Sequence, residues 1–158
     1  MKYEFTGETK VFFGVTLKRI RALVSFGIVV KGELGGWIES DKNLSQVSGN
    51  AWVSGNALVY GDARVYGDAW VSGDARVSGN AQVSGDADFF FVGPIGSRKD
   101  QLTVHADAKI GIRFTTGCFS GSESELSAAV TKTHKSSAYA KQYRAAMALA
   151  LMVVKPKE

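Results

Sequence analysis

Between residues 47 and 87 the chain repeats one line of apolar and polar positions every six residues: VSGNAWVSGNALVYGDARVYGDAWVSGDARVSGNAQVSGDA. Valine recurs at 47, 53, 59, 65, 71, 77 and 83, and alanine at 51, 57, 63, 69, 75, 81 and 87. A branched and a small side chain at two fixed places mark an inward face, because together they fill a narrow core. Between them stands Gly-Asn or Gly-Asp, from Gly49-Asn50 to Gly85-Asp86. These are the residue types that reach φ > 0 most readily, so they mark corners between flat faces. The period is too short for a helical hairpin and matches no heptad.

The flanks follow other patterns. Residues 1–44 contain YEFTG, VFFGVTLKRIRALVSFG and KGELGGWIES. Thr16 to Leu23 alternates in a way that suits a strand with a basic face or a short helix; the period does not decide. Gly27, Gly32, Gly35 and Gly36 punctuate turns. Val29-Val30 and Trp37-Ile38 read as strands leading into the repeat. Beyond it, Phe89-Phe90-Phe91-Val92 reads as a buried strand, GPIGSR (93–98) as a loop, QLTVHAD as a second strand and KIGIRFTTGCFSG as a third. Ser122 with Glu125 forms a capping box that opens a helix through ELSAAVTKTH. A second helix is predicted from about Ser137 through YAKQYRAAMALALMVV. Its end is apolar nearly all round and is expected to be buried, against the third strand or a neighbouring subunit.

The period resembles the hexapeptide repeat of left-handed parallel β-helices, in which three hexapeptides make one triangular coil of 18 residues. The fold implied is mainly β: a left-handed parallel β-helix over 45–88, an N-terminal β-rich cap over 1–44, and a small C-terminal α+β module over 89–158. In that register Trp52 lies below Trp70, Leu58 below Arg76 and Arg64 below Gln82, all on the outside. Tyr60 and Tyr66 occupy outer positions on neighbouring faces. Stacked tryptophans bared to water are disfavoured. Trp52, Trp70, Tyr60 and Tyr66 are therefore the expected subunit interface, with a ligand-stacking platform as the alternative. The resemblance implies a homo-oligomer, a trimer or a multiple of three.

Charge changes the picture of the flanks. The net charge is +4, but residues 1–44 carry +2, residues 45–88 carry −3 and residues 89–158 carry +5. A basic module on an acidic stem suits an anionic partner. The basic residues are scattered and follow no RNA-binding sheet motif, so duplex nucleic acid is not expected. One cysteine, Cys118, excludes an internal disulfide and fits a reducing cytoplasm. The start lacks the apolar core of a signal peptide, and the longest apolar run, AAMALALMVV, is about half a membrane span. A soluble cytoplasmic protein is expected, in the host cell if phage-encoded.

Two stretches are richer than packing needs. GPIGSR has two glycines followed by Ser97 and Arg98, and TTGCFSGSESE runs from a strand into a helix N-terminus. Backbone N–H groups in such turns favour an anion. Thr115, Thr116 and Gly117 belong to the second stretch, Phe119 can stack a ring, and His134 and Lys135 end the first helix. These eight residues are the candidate ligand site, weighed against a merely well-built β–α junction. Cys118 and His134 are the parts of a nucleophile–base pair, but nothing in their spacing orients them, so no catalytic residue is assigned. Cys118, His105 and His134 make no metal-binding spacing, so no metal and no cofactor are expected.

Hexapeptide acyltransferases using acyl-CoA resemble the chain only over 45–88, and they carry a general-base histidine on the coil or on a loop interrupting it. Here the coil has neither; His105 and His134 lie beyond it. The whole chain, from YEFTG and GGWIES through the repeat to TTGCFSG and THK, resembles hexapeptide-repeat proteins encoded by phages and prophages. Three functions are carried forward. The first is a non-enzymatic oligomer that binds an anionic nucleotide-like small molecule, sequestering a host immune signal by analogy. The second is a scaffold that docks a host or phage protein. The third is an acyltransferase.

Overall fold

The computed structural model describes residues 1–47, 49–85 and 88–156. Asp86 and Ala87, read above as the last corner and the last inward alanine, lie outside the described residues. The chain divides into two compact units, Met1–Asp86 and Ala87–Glu158. Among the described residues no helix is long and apolar enough to cross a membrane.

The first unit opens with a hairpin of β1 (Tyr3–Phe12) and β2 (Val15–Ala22), so the ambiguous Thr16–Leu23 segment is a strand. After β3 (Leu34–Ile38) and a single 3-10 turn at Asp41–Asn43 come six two-residue strands. They are β4 (Trp52–Val53), β5 (Leu58–Val59), β6 (Arg64–Val65), β7 (Trp70–Val71), β8 (Arg76–Val77) and β9 (Gln82–Val83). β4 pairs in parallel with β7, β5 with β8 and β6 with β9, residue with residue 18 places on. This is a central β-rich region of tandem hexapeptide-like rungs. Val53, Val59, Val65, Val71, Val77 and Val83 are buried with the alanines between them, as inward positions require. Backbone groups pair from rung to rung: Trp52 N–H donates to Ala69 O at 3.0 Å and Leu58 N–H to Ala75 O at 2.9 Å. At the corner Gly49, φ is +71° and a Cβ would overlap the Gly67 carbonyl of the next rung. No larger residue fits there.

The lowest rung departs from the repeat. Val47 is 92% exposed, although its place in the hexapeptide is an inward one. β3 pairs with β5 at Trp37↔Leu58 and Ile38↔Val59, and Leu44 bridges Val65, each at a spacing of 21 residues. Leu44, fully buried, thus takes the inward place beneath Val65, Ser45 N–H donates to Val65 O at 2.9 Å as in the other rungs, and the three-residue excess falls after Ser45. Gln46 uses the excursion to complete β1. Its Oε1 accepts the Lys2 N–H at 2.8 Å and its Nε2 donates to Tyr3 O at 3.1 Å. Asn43, fully buried, closes the bottom of the stack. Its Nδ2 donates to Gly61 O at 3.0 Å and Ala63 O at 2.9 Å, while its Oδ1 accepts the Ser40 N–H at 2.9 Å.

The expected interface residues separate. Trp52 stacks beneath Trp70 in register, but it is fully buried within its own chain. Phe26 packs on it edge to face at 5.5 Å, and Gly35 leaves its Cβ space to the Trp52 and Ile20 side chains. Trp52 therefore cannot contribute to a subunit interface; the loop before β3 covers it. Trp70 is half-buried and its Nε1 donates to Ser54 Oγ at 2.8 Å. Tyr60 is half-buried against Phe12 at 5.9 Å, and Tyr66 is exposed.

The second unit is an antiparallel four-stranded sheet in the order β10 (Phe89–Ile95), β11 (Asp100–Asp107), β12 (Gly111–Thr116), β13 (Phe119–Gly121), followed by α1 (Glu123–His134) and α2 (Ala138–Val153). The segment read as a third strand is two, folded back at Gly117-Cys118. The GPIGSR loop is shorter than expected, since Gly93 to Ile95 belong to β10, and Phe89 to Val92 are only half-buried. The capping box forms: Ser122 N–H donates to Glu125 Oε2 at 2.7 Å, and Glu125 N–H donates to Ser122 Oγ at 3.4 Å. The Ser122 N–H, and the Ser122 hydroxyl that donates to the same Oε2 at 2.9 Å, hold the Glu125 carboxyl below its ordinary pKa. Leu102, Val104 and Phe114 face Leu126 and Val130 of α1 and Ala140, Tyr143, Met147 and Ala150 of α2. The end of α2 is not buried all round. One side packs in the core, but Leu149, Met152 and Val153 are exposed, Met152 at 75%.

Candidate functional site

Alternation along β11 sorts two kinds of chemistry onto the two faces of the sheet. Leu102, Val104 and Ala106 belong to one set; Thr103, His105 and Asp107 belong to the other and are also buried. His105 is fully buried, with its Nδ1 3.2 Å from the Ala106 carbonyl. Burial lowers its pKa to about 4, so the imidazole is neutral. Asp107 receives Arg113 Nε at 2.7 Å and the Lys109 and Ile110 amides at 2.8 and 3.1 Å. Burial pushes its carboxyl up, but these donors outweigh burial and hold it below the usual carboxylate range. Arg113 also donates to Ser120 Oγ at 3.0 Å, which ties β12 to β13. The polar set braces the sheet. A fully buried His105 has no access to an acyl acceptor, which removes it as the general base of a transferase.

On the helix-packed side, both glycine-rich turns open onto one cavity of about 220 Å³. The β10–β11 turn supplies Ser97 and Arg98, the β12–β13 turn supplies Thr116, Gly117, Cys118 and Phe119, and α1 supplies His134. Six of the eight residues picked from the sequence thus meet in one place: Ser97, Arg98, Thr116, Gly117, Phe119 and His134. The other two do not. Thr115 points elsewhere, as strand alternation demands of Thr116's neighbour, and its buried hydroxyl has no hydrogen-bond partner among the described residues. Lys135 is exposed at the end of α1; its φ of 52° stops the helix, and its N–H donates to Thr131 O at 3.0 Å.

The cavity has an apolar floor and a polar rim. Leu126, Ala129, Val130 and Thr133 follow one another along α1 at helical spacing, and the Tyr143 ring of α2 lies beside them. His134 stacks on Tyr143, with ring centres 5.8 Å apart and planes at 15°. Gly96 makes this possible, because a Cβ there would stand 2.5 Å from the Tyr143 hydroxyl. Gln142 Oε1 accepts the Gly96 N–H at 2.8 Å, so α2 clamps the turn that carries Ser97 and Arg98. Across the mouth, Asp100 brings a carboxylate to the cavity wall, 3.3 Å from where a Gly117 Cβ would lie. Cys118 is exposed at the rim rather than in the core. Asp100, Tyr143 and the α1 stripe were missed in the sequence; only the i, i+3, i+4, i+7 spacing of 126, 129, 130 and 133 pointed to the stripe, and it reads equally as core.

The YdcK Beta solenoid repeat family model matches three overlapping stretches of the chain, residues 45–61, 57–73 and 69–85. It covers the rungs and leaves the cavity-bearing unit outside. No curated protein matches the chain.

Proposed function

We propose that the rungs wind as a left-handed three-sided β-helix that gathers copies of the chain, and that the C-terminal unit is a non-enzymatic module binding a small anionic, nucleotide-like ligand. The observation that carries the reading is the convergence of two glycine-rich turns, Arg98 and a stacked His134–Tyr143 pair on a single cavity. Arg98 makes a charge-assisted contact to a phosphate, the Gly117 turn presents backbone N–H, and Asp100 accepts from a sugar hydroxyl or exocyclic amine. Phe119, Leu126 and Val130 supply the apolar surface for a ring. A volume of 220 Å³ falls below the ~300–1,000 Å³ of pockets that enclose drug-sized ligands. The cavity holds one ring or one phosphate of the ligand, and the rest of it lies at the open mouth. By its resemblance to phage-encoded hexapeptide proteins, the chain's biological setting is capture of a nucleotide signal in the host cytoplasm.

The test is a thermal-shift and calorimetry panel of mononucleotides, ADP-ribose, cyclic dinucleotides, acetyl-CoA and inorganic phosphate. A ligand at 100 times its Kd stabilises by about 2.7 kcal/mol, which in a unit this small raises Tm by roughly 15 °C. Arg98→Ala is expected to weaken binding about 10- to 100-fold. A panel that leaves Tm unmoved at millimolar concentration overturns the reading. A second reading, a module that docks a protein, is favoured by the exposed Leu149, Met152 and Val153 on α2. It predicts capture of a host or phage protein that Met152→Asp abolishes and Arg98→Ala does not.

A further inference from the structure

The first unit carries two apolar patches that its own chain leaves in water. One is the tip of the β1–β2 hairpin, where Val11 is 70% and Phe13 68% exposed. The turn is tight, with both Phe13 and Gly14 at positive φ, so it stands out as a knob. Its inner neighbour Phe12 is anchored against Tyr60 at 5.9 Å and under the Arg76 guanidinium at 5.0 Å, which places the knob beside the β5–β8 ladder. The second patch is the loop before β3 together with that strand's first residue, with Val24, Ile28, Val30 and Leu34 between 45% and 76% exposed. Phe26 fastens that loop onto Trp52, beside the β4–β7 ladder. The two patches sit at opposite ends of a hairpin whose ten-residue strand spans roughly 30 Å.

We infer that the chain assembles head to tail, the Val11–Phe13 knob of one copy seating on the Val24–Ile28–Val30–Leu34 loop of the next. A two-fold contact made through either patch alone leaves the other wet in every copy; head-to-tail contact covers both. The area decides between an open pair and a ring. At roughly 100 Å² for a fully bared aliphatic side chain and ~150 Å² for an aromatic, each scaled by its exposure, the six side chains offer about 400 Å² of apolar surface. With the usual apolar share of ~60%, one contact buries about 700 Å² in all. That falls short of the ~1,000 Å² of a stable pair. A closed ring holds each copy by two contacts, about 1,400 Å², and passes it. The assembly is therefore closed, with little open single-contact pair: a ring, whose smallest form is the reciprocal pair in which each knob seats on the other copy's loop, built on surfaces distinct from the outward rung positions.

The test uses full-length protein with Cys118→Ser, since Cys118 is exposed and would cross-link on its own. Phe13→Cys and Ile28→Cys proteins are made separately, checked for unchanged circular dichroism, and oxidised alone and mixed. The mixture is expected to give a two-chain disulfide product, and each protein alone to give none above an exposed control such as Val47→Cys. A chain carrying both substitutions should oxidise to one discrete cyclic product whose mass counts the copies. Sedimentation of the unmodified chain should show one ring species, reduced to monomer by Phe13→Asp or by Ile28→Asp. A lone protomer at ~100 µM overturns the inference. So do self-disulfides that outrun the mixed product, and so does an open ladder of products from the double substitution.

Discussion

Asn43 does for the bottom of the stack what another rung does everywhere else, and substituting it tests that role. In Asn43→Ala three hydrogen bonds vanish: two from Nδ2, at 3.0 and 2.9 Å, and one into Oδ1, at 2.9 Å. At about 1 kcal/mol net each, plus ~1–3 kcal/mol for a buried carbonyl left without a donor, the loss is about 4–6 kcal/mol. Asn43→Asp is the sharper variant, because it keeps the shape and the bond from Ser40. It turns a carboxylate oxygen, not an amide NH2, toward the Gly61 and Ala63 carbonyls. At pH 7 it should cost at least as much as Asn43→Ala. Burial and two facing oxygens raise the carboxyl pKa above its unfolded ~3.9, so the folded variant holds a proton the unfolded chain lacks. Its deficit relative to wild type therefore shrinks as pH falls through the raised value, since a protonated carboxyl donates to one carbonyl again. Urea unfolding followed by tryptophan fluorescence isolates the effect, because Trp37, Trp52 and Trp70 all lie in the first unit. An Asn43→Asp protein within about 1 kcal/mol of wild type at pH 7, or a deficit flat between pH 7 and 5, refutes the reasoning.

Three further outcomes are expected. His105, neutral to about pH 4 when folded but titrating near 6.5 when unfolded, makes the second unit lose stability as pH falls from 6.5 toward 4. The loss is about 2 kcal/mol at pH 5; with only two histidines in the chain, an imidazole NMR titration of His105 with a midpoint near 6.5 would sink this. Val47→Asp should change stability by less than about 0.5 kcal/mol, while Val53→Asp, at the same place in the repeat, should unfold the first unit. Gly96→Ala meets both a φ of +75° and the Tyr143 hydroxyl and should cost roughly 2–3 kcal/mol. In a Tyr143→Ala background only the backbone part, about 1 kcal/mol, should remain, as a double-mutant cycle by thermal melting can read.

The rungs were legible because the same two inward shapes return every six residues and nothing tertiary overrides them. The lowest rung was not, because Val47 carries the right letter in the wrong place. What moves it outward is a partner forty-odd residues upstream, the backbone of Lys2 and Tyr3, claimed by Gln46. Trp52 was misplaced for the same kind of reason: its cover, Phe26, comes from a loop with no period of its own. In the second unit glycine marked both turns of the cavity, since only tight turns need it there. Asp100 and Tyr143 carried no such mark; an acid at a strand start and an aromatic within an apolar helix read as surface and core.

Pairing at a constant 18-residue offset has a consequence for how such a chain changes over generations. Near-identical lines of coding sequence invite misaligned recombination, and an exchange out of step by three lines adds or removes one whole storey while keeping the backbone pairing above and below it in register. The first storey, offset by 21 and latched by Gln46, has no counterpart to recombine with. The height of the stack is thus free to vary among descendants while its foundation is inherited intact.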